Sequence, residues 1–275
     1  MGVSDKVVLV TGASAGIGWA CADHLARSGW TVVGASRRGT SGGGWRGMVM
    51  DVDDDASVSA GVAGILEDHG HIDALLACAG WGLAGAAEQT SLAEAKAQFE
   101  TNFWGIVRVA NAVLPIFRRQ RYGRLVFMSS LGGLFGIPFQ SFYSASKFAL
   151  EGYGESLAYE VAPFGIHVTL IEPGNFRTDF TQSRRKIEVA GDDPYAAAQT
   201  KAIEVMERDE MKGANPKDVA KVAERVLVSA RPPRRVSVGK FDERIGVLGK
   251  RILPFRVFEW AAKGPLGVRD DEPRP

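Results

Sequence analysis

Val7-Val8-Leu9-Val10-Thr11-Gly12-Ala13-Ser14-Ala15-Gly16-Ile17-Gly18 is an apolar run that stops at a glycine-studded turn and passes into the helical pattern of Ile17–Ser28. A strand that short, buried on both sides, is written as continuous aliphatics. Glycine at the turn lets the backbone reverse sharply and come close to a ligand, and the helix behind it offers unpaired N–H groups and the positive end of its dipole. Gly12, Ser14, Gly16, Ile17 and Gly18 therefore read as a cradle for a pyrophosphate. The plain alternative is a strand-to-helix turn that holds nothing, and a glycine triplet by itself would not decide between them.

Outward from this unit the same rhythm recurs. Apolar runs at Thr31–Ala35, Met48–Met50, Ala74–Cys78, Leu125–Met128 and His167–Ile171, with a short one at Arg235–Val238, alternate with helical stretches at Asp55–His69, Ala93–Gln120, Tyr143–Ala162 and Pro216–Ala230. Asn215 is placed to cap the last of these, with Pro216 at its first position. Strands separated by helices imply an α/β protein, a doubly wound parallel sheet of the Rossmann type with seven strands in the order 3-2-1-4-5-6-7 and helices on both faces. One catalytic domain is expected over 1–275, with its core at about 5–240, a substrate lid over about 176–213 holding one helix near Ala196–Arg208, and a tail over 241–275.

The end of the second strand chooses between cofactors. Sheets that bind NAD place an acidic residue there against the ribose hydroxyls, whereas this chain has Ser36, Arg37 and Arg38. A carboxylate would repel a 2′-phosphate and a guanidinium grips it with two hydrogen bonds, which points to NADP(H); solvated loop arginines are the alternative. Asp51, followed by Val52 at the end of the third strand, is placed to meet the adenine edge, and capping of the next helix explains it comparably well.

Tyr143 and Lys147 stand four residues apart near a helix start and share one face of it. A phenol with a pKa near 10 is a poor base at neutral pH, and a neighbouring ammonium brings it toward working range. Ser130, at the end of a strand and thirteen residues before Tyr143, can return its hydroxyl beside the phenol and bond a reacting oxygen as charge builds on it.

The glycine turn, Asn102 within Thr101-Asn102-Phe103-Trp104-Gly105, Ser130, the Tyr143/Lys147 pair and Pro173-Gly174 together resemble the short-chain dehydrogenase/reductase family, in order and spacing from about Lys6 to Lys240. The stretch from Ser130 to Gly152 is most similar to its hydroxysteroid and retinol dehydrogenase branch. The resemblance implies that Tyr143 exchanges the proton, Ser130 holds the substrate oxygen, Lys147 binds the nicotinamide ribose, and Asn102 holds a water leading from Lys147 to solvent. It also implies that Ala79 and Gly80 present backbone to the adenosine ribose, that Pro173 and Gly174 border the nicotinamide, and that Thr178 meets its carboxamide. A homodimer or homotetramer through the two long helices is implied as well. One departure stands out: where the family commonly shows Asn-Asn-Ala-Gly, this chain has Ala77-Cys78-Ala79-Gly80, which removes side chains that brace the sheet.

The function expected is oxidoreduction of a secondary or allylic alcohol and its carbonyl, the substrate small, apolar and steroid- or retinoid-like. Reduction of fatty or acyl-derived ketones is the second enzymatic reading, and a non-catalytic NADP(H) sensor is the competing class. Leu131, Phe135, Ile137 and Phe139 are the expected pocket walls. A formal charge of +1 argues against nucleic acid as partner. Cys21 and Cys78 sit in no metal-ligand spacing and, with His69 and His71 unaccompanied, no metal is expected. The basic run Arg118, Arg119, Arg121 and Arg124 suits a helix C-terminus. No apolar run is long enough to span a bilayer, so a cytoplasmic protein is expected. The tail mixes Leu253-Pro254-Phe255, Val257, Phe258 and Trp260 with Arg244, Lys250, Arg251 and Arg256, a pattern that covers the cleft or touches a membrane surface; Pro254 breaks any long helix there.

Overall fold

The computed structural model describes residues 6–264. Seven parallel strands form the sheet: β1 (Val7–Thr11), β2 (Thr31–Ser36), β3 (Arg46–Val49), β4 (Ala74–Ala77), β5 (Gly123–Met128), β6 (Ile166–Pro173) and β7 (Arg235–Val238). Their order is β3-β2-β1-β4-β5-β6-β7, as expected. Alternate residues of β1 explain its continuous aliphatic sequence. Val7 and Leu9 enter a core with α2 (Asp55–His69), α4 (Ile106–Gln120) and α5 (Ser141–Val161), while Val8 and Val10 enter a second core with α1 (Gly16–Arg27) and α8 (Pro216–Val228).

Helix ends follow local chemistry. Asp54 caps α2 by accepting from the Ser57 amide, and Gly70 ends it in the left-handed region at φ 75°. Asp51 is thus not the cap; its Oδ1 accepts from the Asp53 amide at 3.1 Å. Asn215 caps α8 with Pro216 next, as the sequence indicates.

The single helix expected over Ala93–Gln120 is divided. α3 (Leu92–Phe99) opens with a Ser91/Glu94 capping box, a wider π turn covers Glu100–Gly105, and α4 follows. A π turn adds a residue to the coil and re-aims the side chains beside it. Here it carries Thr101 and Asn102 into the sheet's C-terminal edge, which a pattern of apolar spacing cannot foretell.

The lid holds α6 (Phe180–Ser183) and α7 (Ala196–Met211), and a two-residue parallel ladder ties Arg185–Lys186 to Leu83–Ala84. Buried Gln199 locks α7 down, accepting from the Ala86 amide at 2.8 Å and donating to the Ile187 carbonyl at 2.7 Å. The tail forms α9 (Phe241–Ile252) and α10 (Phe255–Lys263), parted at Leu253-Pro254. Among the described residues no helix is long and apolar enough to cross a membrane.

Candidate active site

The C-terminal ends of the strands, the lid and the tail enclose one cleft of about 1190 Å³. Parallel sheets place ligands at this edge because loops diverge there and helix N-termini point toward it. At its nucleotide end two glycines are obligatory. A Cβ on Gly18 would lie 2.3 Å from the Gly12 carbonyl oxygen, and one on Gly12, whose φ is +68°, would lie 2.8 Å from the Ala79 nitrogen. These are backbone atoms, so the clash has no flexible side chain to relieve it. The turn is thereby pressed against the strand end that carries Ala79 and Gly80.

Arg38 Nη2 donates to Ser14 Oγ at 2.8 Å, which hangs a guanidinium over the glycine turn. Ser36 Oγ accepts from the Gly39 amide at 3.1 Å, closing the loop that presents exposed Arg37 and Arg38. Ser14, Ser36, Arg37, Arg38, Asp51 and Val52 all line this end of the cleft. A cradle that admits only glycine, together with a helix N-terminus, fits a dinucleotide pyrophosphate, and two arginines stand beside it.

At the other end, Tyr143 is buried on the first turns of α5, with its ring 5.9 Å from that of Phe180, edge to face. Burial pushes its phenol above the ordinary range; the hydrogen bond with Ser130 pulls it down, Glu210 nearby raises it and Arg184 lowers it. Ser130 Oγ also accepts from the Gly132 amide at 3.0 Å, so the hydroxyl is held by the turn that follows it. Lys147 is buried one turn beyond Tyr143; its Nζ donates to the Met128 carbonyl at 2.9 Å, and burial pushes its ammonium down to about 8.

The structure brings every proposed cofactor residue, together with Ser130, Tyr143 and Lys147, to the cleft wall. Asn102 differs. Fully buried behind the wall, it accepts from the Trp81 amide and donates to the Trp81 carbonyl, each at 3.0 Å, and its Nδ2 lies 3.4 Å from Ser146 Oγ. Gln98 Nε2 donates to the same carbonyl at 2.6 Å. Together these side chains brace the backbone after β4, where Ala77-Cys78 supplies no asparagine. Cys78 itself is half-buried on the cleft wall, and Cys21 is fully buried.

Among the expected substrate walls, Leu131, Phe135 and Ile137 line the cleft and Phe139 does not. Phe139 adopts φ 57° and spends its carbonyl on the Gly85 amide at 2.8 Å, a left-handed turn that carries the ring away. The tail supplies Leu253 and Phe258 instead, the latter ring 6.2 Å from that of Phe135. The lid supplies Phe180, Met206 and the acidic pair Asp209 and Glu210. Glu210 accepts from Thr181 Oγ1 at 2.6 Å and forms an ion pair with the buried Arg184, joining α6 to α7. No motif marks these residues; the long segment after the strand hinted at a cover and not at which side chains face inward.

Three comparisons bear on the whole arrangement. Residues 6–188 match the family model described as short chain dehydrogenase. The chain is 38% identical over 266 residues to a 3-ketodihydrosphingosine reductase from Bacteroides thetaiotaomicron, covering 96% of this chain and 99% of that protein. It is likewise 38% identical over 300 residues to bovine (Bos taurus) retinol dehydrogenase 8, covering 98% and 96%. A solved short-chain dehydrogenase from Streptomyces avermitilis superposes with a TM-score of 0.81 at 32% identity, covering 94% of this chain and 97% of that one. Sheet order, cleft and these likenesses agree: the chain is an oxidoreductase of the short-chain dehydrogenase/reductase family.

Proposed function

We propose that this enzyme reduces the carbonyl of an apolar, long-chain ketone with NADPH, Tyr143 delivering the proton. The observation that carries the reading is the buried Tyr143 phenol, on the same cleft wall as Ser130 and Lys147, in a cleft whose far walls are Leu131, Phe135, Ile137, Leu253 and Phe258. When bound, a nicotinamide dinucleotide supplies the hydride that adds to the carbonyl carbon. The chain's own residues manage the oxygen. Ser130 donates a hydrogen bond to it as negative charge develops, and Tyr143 gives it the phenolic proton. A phenol raised by burial is an acid at neutral pH, which suits reduction. The Lys147 ammonium, still charged at pH 7, then steadies the phenolate that remains.

Ser36, Arg37 and Arg38 favour NADP(H) over NAD(H), because the strand end carries positive charge where a carboxylate would bind bare ribose hydroxyls. The likeness to the 3-ketodihydrosphingosine reductase supports the fatty-ketone reading, and the equal likeness to retinol dehydrogenase 8 makes the retinoid reading its alternative. Glu210 is near enough to Tyr143 to raise its phenol, but its carboxylate is already paired with Arg184 and that of Asp209 with Arg208, so neither acid decides between these substrates. One sheet and one cleft, closed by lid and tail, support treating the chain as a single catalytic domain. Trp104, Phe148 and Tyr159, exposed on the π turn and α5, suit a homodimer or homotetramer.

The test is to titrate the purified chain with NADPH and NADH, then add long-chain 2-amino-3-ketones, simple fatty ketones, steroid ketones and all-trans-retinal. NADPH should bind at least tenfold tighter, Arg37→Ala should shrink that ratio, and the amino-ketones should give the highest kcat/KM. Tyr143→Phe should lower kcat by about a thousandfold while cofactor affinity stays within about twofold. Tight NADPH binding with no turnover on any substrate would favour the sensor; turnover only with retinal would favour the retinoid reading.

A further inference from the structure

Among the described residues, sixteen large apolar side chains are exposed, and eight of them lie between Phe241 and Trp260. They are not scattered. On α9, Phe241, Leu248 and Ile252 are 78%, 54% and 69% exposed at spacings of seven and four, a single stripe along the helix. Other faces of α9 are occupied: Val247 is buried, Gly246 and Gly249 line the cleft, and Ile245, 52% exposed, stands at the seam between stripe and cleft. α10 adds Phe255 and Trp260, both largely exposed, while its Phe258 turns into the cleft. Monomeric surfaces rarely leave so much contiguous apolar area in water.

The charge in this segment is positive on balance. Between Phe241 and Lys263 there are five basic residues, Arg244, Lys250, Arg251, Arg256 and Lys263, against three acidic ones. One of the three is withdrawn from the surface: Glu243 accepts from the Asn175 amide at 3.0 Å and the Lys240 amide at 2.8 Å. Lys250 Nζ lies 4.9 Å from the Phe255 ring and 5.2 Å from that of Phe258, so its charge sits at the seam between apolar surface and solvent.

We propose that the α9–α10 hairpin docks on an anionic lipid surface, its Phe241/Leu248/Ile252 stripe with Phe255 and Trp260 entering the interface and its basic residues meeting the headgroups. Amphipathic helices with aromatic and aliphatic residues on one side and lysine and arginine around them bind at that depth. A basic residue near an anionic surface adds about fivefold in partition, which makes the observed charge excess consequential. A second copy of the chain would set one net-positive segment against another, so charge complementarity selects the anionic lipid. The docked face and the cleft wall are two sides of the same helix, which lets a long-chain ketone pass from bilayer to cleft without crossing water. Docking stands on exposure and charge alone; that delivery rests on the function proposed above.

The test is flotation of the full chain with vesicles of phosphatidylcholine alone, or of phosphatidylcholine and phosphatidylglycerol two to one, with no cofactor present. The wild type should float with the anionic vesicles, about tenfold more than with the neutral ones, and salt should release it. The triple variant Phe241→Ser, Leu248→Ser, Ile252→Ser, none of which lines the cleft, should lose about tenfold of that binding. It should keep the wild-type turnover of a short soluble ketone and lose rate on long-chain ketone held in vesicles. Should the triple variant fail to fold, Arg244→Gln with Arg256→Gln should lower binding to the anionic vesicles alone. The proposal is overturned if the wild type floats with neither vesicle or the triple variant floats as well as wild type. It is equally overturned if light scattering shows that the triple substitution splits an oligomer of a wild type that binds no vesicle. Flotation without turnover of any ketone would keep the docking surface and remove the proposed function.

Discussion

The two ends of the cleft are built on different principles. At the nucleotide end the constraint is backbone against backbone: Gly12 under Ala79, Gly18 under the Gly12 carbonyl, and an arginine loop closed by Ser36. At the substrate end it is side chain against side chain: Gln199 pinning α7, Glu210 joining α6 to α7, Phe258 from the tail meeting Phe135 from the opposite wall. The first kind of constraint admits one residue type and one geometry, so it is rigid and recognisable. The second admits many volumes at each position, which is how one scaffold comes to accept different ketones.

The largest way to break that contrast is Gly18→Ala. A single methyl at this position meets backbone 2.3 Å away, and nothing nearby is free to yield. The turn must open, which withdraws the helix N-terminus from the pyrophosphate. NADPH affinity should fall by about a hundredfold, and the protein should lose about 1–3 kcal/mol of stability from the forced shift. Fluorescence titration of bound NADPH and a thermal melt measure the two effects. An affinity within threefold of wild type would mean that the rigid end is less rigid than its contacts require.

This asymmetry also explains what was legible in the sequence. The central strands were visible because burial on both faces leaves no room for polar residues, and β1 divides its valines and Leu9 between two cores; the half-exposed edge strand β3 runs Arg46–Val49, shifted from the expected Met48–Met50. Tyr143, Lys147 and Ser130 were visible through fixed spacing on a helix and at a strand end. The hydrogen bonds by which Asn102 braces Trp81 were not: a π turn, which has no compositional mark, carries it behind the cleft wall. Phe139 was expected on the wall by its apolarity alone, whereas a left-handed backbone decides where it goes. Asp209, Glu210 and Phe258 lie in segments whose inward faces depend on how lid and tail dock, a long-range fact with no local signal.

Between the two ends sits Lys147, and its titration joins them. Burial holds its ammonium at about 8, below the ordinary 10.5. As pH rises through 8 the charge that steadies Tyr143 is lost, so kcat/KM for ketone reduction should fall, by up to about tenfold per pH unit, and Lys147→Met should abolish this limb along with most activity. Folding responds in the opposite sense. The unfolded chain binds this proton more tightly, so the stability withheld by the buried charge below pH 8 is recovered between about 8 and 10.5. A rate that falls over the same pH range in which this contribution to stability rises separates titration at the site from alkaline unfolding. Rate–pH profiles alongside denaturant melts at each pH supply both curves, and parallel decline of the two would remove the assignment.

The smallest effect belongs to the plastic end. Phe258 reaches the cleft from α10, touches no residue of the nucleotide cradle, and packs at 6.2 Å ring to ring on Phe135. Phe258→Ala removes an apolar wall and leaves the proton donor, its serine and the lysine as they were. What it costs is the burial of about one methylene's worth of a bound alkyl chain, about 1 kcal/mol, or about fivefold in KM for a long-chain ketone. kcat and NADPH affinity should stay within about twofold, because uniform binding of the chain is lost and no contact formed only in the transition state is touched. Shortening the substrate should erase the difference between variant and wild type, since a short ketone never reaches the tail. Steady-state kinetics over a series of chain lengths would show the two lines converging as the chain contracts. Lines that stay parallel down to the shortest ketone would mean that Phe258 acts on the reacting centre, and that the two ends of the cleft are coupled after all.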